Sequence, residues 1–469
     1  MRVLLITSLV CVTALTNCHF YSVVHSEVPE IGSAELTVKH VYKKPKSTKT
    51  KSHLTRFNDP QLRRLVAIAL HDAPDIGSAK ARVMQAREIA KGTYSTLWPS
   101  ATLSGYVNKQ WFSLKGTVPS TLDIPVTEAR IANLALNFNY ELDLWGKNRN
   151  NFASKLSEAF AAEMDLAQTR LIISSTVASV YFDLQNDIIQ QQLAKENVHI
   201  LQEEADIVLG RAKQGIESDI PLKTAISNTQ SARLAIQDYQ RMELQSRHQL
   251  AVLMGKNPFN TQIEVQKFSY DPKQLALPEV ISTNVLARRP DIASTRALTE
   301  AAAHQINVAR AAFFPDINLT SILSLQSFYF ANFFNFSVKD AGIKPAFTLP
   351  IFDAGQRRAN LGARQAAFEL TVNQYNQTIL NALQEVTDQM AALHTLKKQI
   401  ADQKKALNTT EGNYKLFRSR YTQGIIDYLQ LLEIKQLLVQ QRATLYSLQT
   451  HQKQAMVALL AALGGEVIL

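Results

Sequence analysis

The chain has 469 residues, 46% of them apolar and 19% charged, a balance that excludes both a disordered tail and a polytopic helical membrane protein. Its two cysteines, Cys11 and Cys18, lie at the extreme N-terminus, so the body holds no disulfide framework, redox pair or thiolate zinc site. The formal net charge of +10 comes mainly from residues 39–56, which carry +7, and so reflects one local stretch rather than a nucleic-acid-binding face.

Met1-Arg2 and the apolar run at 3–13 have the make-up of a secretory signal over residues 1–17. No later stretch reaches the ~20 apolar residues of a spanning helix. The run ends in Leu15-Thr16-Asn17-Cys18, which resembles a bacterial lipobox, with Asn17 standing where Gly, Ala or Ser is usual. That resemblance implies acylation of the Cys18 thiol as the first mature residue. His19 follows it, not the aspartate that retains such proteins in the inner membrane, so outer-membrane lipid is the implied anchor. The alternative is an ordinary cleaved signal with Cys18 incidental. Residues 18–56 form a basic arm rich in Lys, Ser and Thr, either a solvated spacer or a segment beside a membrane surface.

Beyond the arm the chain repeats itself. Pro74-Asp75-Ile76 recurs as Pro290-Asp291-Ile292, 216 residues later, and each is followed by an aromatic-proline pair, Trp98-Pro99 and Phe314-Pro315. Gly146 and Gly355, the Gln-Gly-Ile sets at Gly215 and Gly424, and then Gly255 and Gly464 recur at an offset of 209. The simplest reading is a tandem duplication, with a first repeat at 57–255, a linker at 256–280 and a second repeat at 281–465.

Each copy predicts the same order of elements. A helix, at 62–90 or 281–311, leads to a proline; a β-like pair follows, then two long helices joined at the Gln-Gly-Ile turn. The strand signal is clearest at 130–143, where Ala132, Leu134, Leu136, Phe138, Tyr140 and Leu142 alternate with amides and acids. Such alternation suits a lipid-facing barrel. Ala101, Leu103, Val107 and Trp111 predict its partner, with a turn at 116–125. Residues 317–330 and 345–353 predict a second pair, and Phe328, Tyr329, Phe330, Phe333, Phe334 and Phe336 near its turn fit either an interface girdle or a loop cap. Four strands cannot close a membrane barrel, because open edges in hydrocarbon leave backbone groups unpaired at several kcal/mol each. If they enter a membrane, several chains share one barrel.

The helices are too long for a compact domain. No proline interrupts 126–220, 222–257 or 351–469, and the 69 residues from Gly146 to Gly215 would reach ~100 Å as one helix. Leu166, Ile173, Val177, Val180 and Leu184 keep one apolar stripe, while the small and amide residues between them suit a helical tube better than a two-stranded coiled coil.

Several local motifs are similar to those of the outer-membrane efflux protein family, the TolC-like outer membrane factors, and within it the lipoprotein (NodT-type) branch. They are Phe57-Asn58-Asp59-Pro60-Gln61-Leu62, Tyr140-Glu141-Leu142-Asp143-Leu144-Trp145-Gly146-Lys147, Arg288-Arg289-Pro290-Asp291-Ile292, Ala309-Arg310-Ala311-Ala312-Phe313-Phe314-Pro315, Leu349-Pro350-Ile351-Phe352-Asp353-Ala354-Gly355 and Arg420-Tyr421-Thr422-Gln423-Gly424. The resemblance covers 57–465. It implies a mixed α and β membrane protein: a homotrimer whose shared transmembrane β-barrel, four strands per chain, continues as a long α-helical coiled-coil barrel. It further implies a periplasmic adaptor protein and an inner-membrane pump of the resistance-nodulation-division type as partners.

No HExxH, P-loop or Gly-rich dinucleotide signature is present, and no cofactor is expected; a passive conduit draws its energy from a partner. Glu300 and His304 share a helix face, which reads as a solvated or core pair rather than a metal site. Gly215 and Gly424 supply the left-handed residue of a tight helical reversal. The resemblance makes these tips, with Arg211 and Arg420 four residues before each glycine, the adaptor-contacting end. A structural turn is the plain alternative, with Arg211 or Arg420 paired to Asp219 or Asp427. Past the second tip, Leu429 and Glu433 lie i,i+4 on one helix face, and the resemblance places them at the tunnel aperture. Threefold symmetry would repeat them as an apolar ring and an acidic ring, the latter favouring cations; Glu433 facing open periplasm is the alternative. The family more often has aspartate at Glu433 and arginine at Gln436, so a locking ion pair is expected to be weaker here. Besides efflux, a type I secretion exit duct or a non-conducting envelope tether fits the same elements.

Overall fold

The computed structural model describes residues 57–111, 128–260, 263–266, 268–275, 288–327, 333–334 and 339–465. The signal, Cys18, the basic arm, the turn at 116–125, and Phe328, Tyr329, Phe330 and Phe336 lie outside the described residues. In chain order the elements are α1 (Pro60–Asp72), α2 (Pro74–Tyr94), β1 (Ser100–Trp111), β2 (Glu128–Glu141), α3 (Lys147–Lys213), α4 (Asp219–Leu253), α5 (Pro290–Ala311), β3 (Asp316–Ser327), β4 (Lys339–Thr348), α6 (Gln356–Thr422) and α7 (Tyr428–Ala462).

The two copies are built alike. α3 and α6 each have 67 residues, and α4 and α7 each have 35, so at 1.5 Å per residue the first pair run ~100 Å and the second ~50 Å. Gly146 and Gly355 start α3 and α6 with φ of 78° and 92°, a left-handed entry that other residues resist. The carboxylates of Asp143 and Asp353 then accept from the first free amides, those of Asn148 and Arg149 in one copy and of Arg357 in the other. No described helix is long and apolar enough to cross a membrane.

Two expected elements are corrected. The helix at 62–90 is broken into α1 and α2, because Pro74 forces Ala73 into an extended conformation, φ −61° and ψ 128°. The strand expected at 345–353 is β4, Lys339–Thr348, displaced toward the outer rim. Pro350 has no amide for a ladder, and the apolar run after Thr348 forms the exit from the sheet instead. In the second copy the described helix begins at Pro290, under an N-terminal proline fixed for the first turn.

The sheet runs β1-β2-β3-β4, antiparallel throughout, with β1 and β4 as open edges. Leu103 lies opposite Leu136, and Leu136 opposite Leu323, so one face carries Leu103, Val107, Phe138, Leu319, Leu323, Ile343 and Phe347, all exposed. The other face carries Asn133, Asn137 and Asn139, with Asn137 Nδ2 donating to Ser104 Oγ at 3.2 Å. An apolar outside and an amide inside is the pattern of a water-filled barrel.

The main core sits where α1, the first turn of α2, the middle of α3 and the C-terminal ends of α4 and α7 meet: Leu62, Ile76, Val177, Tyr181, Leu184, Leu250, Met456 and Leu460 are fully or almost fully buried. Asp59 caps α1 through Gln61 N and Leu62 N, and its other oxygen accepts from Tyr181 Oη at 3.0 Å, tying that cap to α3. Lys453 is buried here with its Nζ 3.9 Å from the centre of the Phe268 ring and 4.8 Å from that of Phe182. Desolvation pulls its pKa down to about 8. Gly255, with φ +68°, ends α4 so close to Asp72 that a Cβ would lie 2.4 Å from that residue's carbonyl oxygen.

Candidate functional site at the hairpin tips and aperture

Each long hairpin reverses at a Gln-Gly-Ile turn for the same backbone reason. Gly215 and Gly424 have φ of +70° and +72°. The following amides, Ile216 N and Ile425 N, bond back to the carbonyls of Arg211 and Arg420 at 3.0 and 2.9 Å. This six-to-one closure satisfies the last helical carbonyls, and only a residue tolerant of the left-handed region completes it. The turn uses only the backbone carbonyls of Arg211 and Arg420, which any residue would supply, so the closure does not itself select arginine.

Their side chains part company. Arg211 Nη2 reaches Asp427 Oδ2 at 3.1 Å, which joins the tip of the first hairpin to that of the second; of the two expected partners, Asp427 is the one engaged. Asp427 also caps α7, its Oδ1 accepting from Gln430 N at 3.0 Å. The bond from Gln430 N and then the Arg211 guanidinium hold this carboxyl below the usual carboxylate range. Arg420, on the other copy, is exposed.

Two features at the tips escape a sequence reading. Ile216 and Ile425 follow the turn glycines yet are 70% and 64% exposed, and Ile220 is equally open. An apolar side chain at the end of each hairpin is a ready contact for another protein. The second feature is a polar tie: His199 Nδ1 lies 2.9 Å from Glu203 Oε1, and Tyr428 Oη donates to Glu203 Oε2 at 3.0 Å, linking α7 to α3. His199 and Glu203 are visibly i,i+4 in sequence, but only folding brings Tyr428 to them.

One turn into α7, Leu429 is half-buried and Glu433 is exposed. The adjoining side of the same helix, Leu432 and Val439, packs on Ile200 of α3, so α7 is held against α3 while Glu433 stays open. Glu204 of α3 faces it. Burial first, and the Glu433 charge second, push the Glu204 carboxyl above its ordinary value. The start of α7 and the facing turn of α3 therefore bring together two carboxylates, Glu433 and Glu204, the second of which the sequence did not single out. The pair Glu300 and His304 belongs elsewhere: Glu300 meets Arg296 and His304 meets Asn150.

The family model described as outer membrane efflux protein matches residues 65–256 and 281–465, one stretch for each copy of the repeat. The Cation efflux system protein CusC of Escherichia coli K12 is 30% identical over 413 residues, covering 88% of each chain. The outer membrane protein VceC of Vibrio cholerae has a solved structure of TM-score 0.77 at 26% identity, covering 89% of this chain and 99% of that one. The CmeC outer membrane channel of Campylobacter jejuni shares the fold at a TM-score of 0.80, covering 88% and 87% of the two chains at 24% identity. With both repeats, the open-edged sheet and the helical tips all accounted for by that match, the chain belongs to the outer membrane efflux protein family.

Proposed function

We propose that three copies of this chain form the outer-membrane channel of a tripartite efflux system, a passive conduit anchored by an acylated Cys18. Its partners on this reading are a periplasmic adaptor and an inner-membrane pump of the resistance-nodulation-division type. The observation that carries the reading is the sheet with two open edges, apolar on one face and amide-lined on the other, attached to two helical hairpins whose longer arms run ~100 Å. In a membrane those edges require neighbours, and three four-stranded sheets are enough for a barrel that leaves a lumen.

The tips supply the adaptor contact, through Arg211, Gly215, Arg420 and Gly424 and the exposed Ile216, Ile220 and Ile425 beside them. Leu429 forms the apolar constriction of the resting tunnel, and Glu433 with Glu204 its acidic one. An E. coli relative is named for cation efflux, and carboxylates around a narrow pore favour cations. On this reading pump and adaptor select the cargo, and the conduit need not hold it.

Planar-bilayer recording of the purified protein tests this. The expected result is stepwise conductance with a reversal potential shifted toward the cation in a salt gradient. Protein that inserts and conducts nothing would reject the conduit.

A further inference from the structure

The linker between the two copies does more than join them. Its first half is fastened to the first copy. The Ile263 carbonyl accepts from the Arg247 guanidinium of α4, the Gln266 amide donates to Gln61 Oε1 of α1 at 2.7 Å, and the Gln266 carbonyl accepts from Gln185 Nε2 of α3 at 3.3 Å. Its second half is fastened to the second copy. The Phe268 ring meets that of Tyr446 on α7 edge-on, with centres 5.4 Å apart, and Tyr270 Oη donates to Gln452 Oε1 of α7. Lys404 of α6 places its Nζ 5.4 Å from the centre of the Tyr270 ring. Ile263 and Leu275 anchor the two halves in the main core.

The crossing point is Lys453 of α7, which is only 5% exposed. Its ammonium lies over Phe268 of the linker at 3.9 Å and over Phe182 of α3 at 4.8 Å. Burial disfavours that charge, and the electron-rich faces of two rings offset part of the cost. With a pKa of about 8 the side chain is still mainly charged at neutral pH. One ammonium thus joins three elements: α3, α7 and the linker. The repeat holds no second clamp of this kind. The positions equivalent to Lys453 and Phe182 are Leu244 and Ala391, which carry neither a charge nor a ring, so α4 is not held in the same way.

We propose that the linker, through Phe268 and Tyr270, straps α7 to α3 at Lys453 and so restrains the movement of α7 by which the aperture opens. This rests on the aperture reading above: Leu429 lies on α7, and widening the tunnel there requires α7 to move relative to α3. Tyr446, the first residue of α7 that the strap touches, is 17 residues beyond Leu429, ~25 Å along the helix. Close by, Gln190 Nε2 of α3 donates to the Ala443 carbonyl at 2.9 Å, which adds to the hold at this level. The tip pair Arg211–Asp427 and the strap therefore secure the same arm of α7 at two separate points, and loosening either one favours opening.

Phe268→Leu keeps an apolar side chain of similar size and removes the ring face, whereas Phe268→Tyr keeps the face. Both are made in the full chain, purified in detergent and read in two ways: hydrogen exchange of the peptides covering 263–275, 443–460 and 225–240, and open probability in planar bilayers. F268L is expected to speed exchange over 263–275 and 443–460 and to leave 225–240 of α4 unchanged. It should also raise the ratio of open to closed by about tenfold or more, the least that losing one ring contact in each of three copies gives. F268Y should match wild type in both readings. Tyr270→Phe, which removes only the bond to Gln452, is a milder second variant and should shift both readings the same way by less. Unchanged exchange in F268L and Y270F overturns the clamp, as do equal acceleration in α4 and an F268Y that behaves like F268L. Faster exchange with a wild-type ratio of open to closed, in protein that conducts, overturns the restraint on opening. If no form conducts, the conduit reading fails, and exchange alone decides whether the linker clamps α7.

Discussion

Asp427 offers a way to separate two contributions to the resting state of the tips. Its Oδ1 caps α7 and its Oδ2 accepts from Arg211. Asp427→Asn keeps a capping oxygen and removes the ion pair, whereas Asp427→Ala removes both. The two side chains of the pair are 36% and 43% exposed, and a pair so open to solvent contributes only ~0.2–1 kcal/mol after screening. The cap adds ~0.5–2 kcal/mol. In three copies acting together, D427N removes about 0.6–3 kcal/mol of resting-state preference, a shift of roughly 3- to 150-fold in the ratio of open to closed. D427A shifts it further. Open probability in planar bilayers at 0.1 M KCl reads both, and in 1 M KCl, where screening acts over ~3 Å, the D427N effect should vanish while the capping part of D427A persists. The carboxyl is held below the usual range; its contribution is present above the unfolded value and lost only as pH falls through the lowered one, so wild type should resist opening on mild acidification. A D427A channel with wild-type open probability at low salt would refute the tip-pair reasoning.

The aperture, the core and a helix end each carry a separate expectation. Leu429→Ala with Glu433→Ala should raise single-channel conductance and antibiotic leakage, and Glu433→Gln alone should reduce cation preference measured by reversal potential; unchanged values would move the constriction elsewhere. Asp187 is buried near Asp183 and Glu243, and desolvation pushes its carboxyl up to about 6 despite the hydrogen bond from Ser246. Its charged form is therefore a cost above that pH, relieved on protonation, so Asp187→Asn should stabilise the protein by on the order of 1–3 kcal/mol at pH 8. Thermal unfolding at pH 8 and pH 5 checks this: equal gains at both would mean that the charge is not the cause. Gly255→Ala must bear a left-handed alanine, ~1–2 kcal/mol, and a Cβ that would sit 2.4 Å from a backbone oxygen. Gly464→Ala bears the first penalty and meets Arg289 at an ordinary 3.4 Å. The yield of folded protein should fall markedly for G255A and little for G464A; equal losses contradict the close approach.

The tandem repeat, the four strands and the helical hairpins were legible because each is written in local pattern: a period of two at 130–143, long spans without proline, and glycines at matched intervals. Legibility failed where two local signals competed. The helix expected over 62–90 kept its apolar period through Pro74, but the proline ring acts on the residue before it and broke the run at Ala73. The apolar stretch 349–352 outweighed Lys339 and Asp340 as a strand signal, yet the ladder follows backbone pairing with β3 rather than hydropathy. Arg211 was visible as a candidate, but nothing local distinguishes Asp219 from Asp427 as its partner.

Sequence alone determined the elements and the two-fold repeat, since helix length, strand alternation and glycine-permitted reversals depend on residues within a few positions of one another. Tertiary structure decided which of those elements meet: Arg211 with Asp427, Tyr428 with Glu203, Glu204 beside Glu433, and Trp145 on Phe314. These pairs are separated by some 170 to 230 residues. Their partners are selected by the packing of rods against rods and by the register of the sheet, and those depend on the whole chain at once.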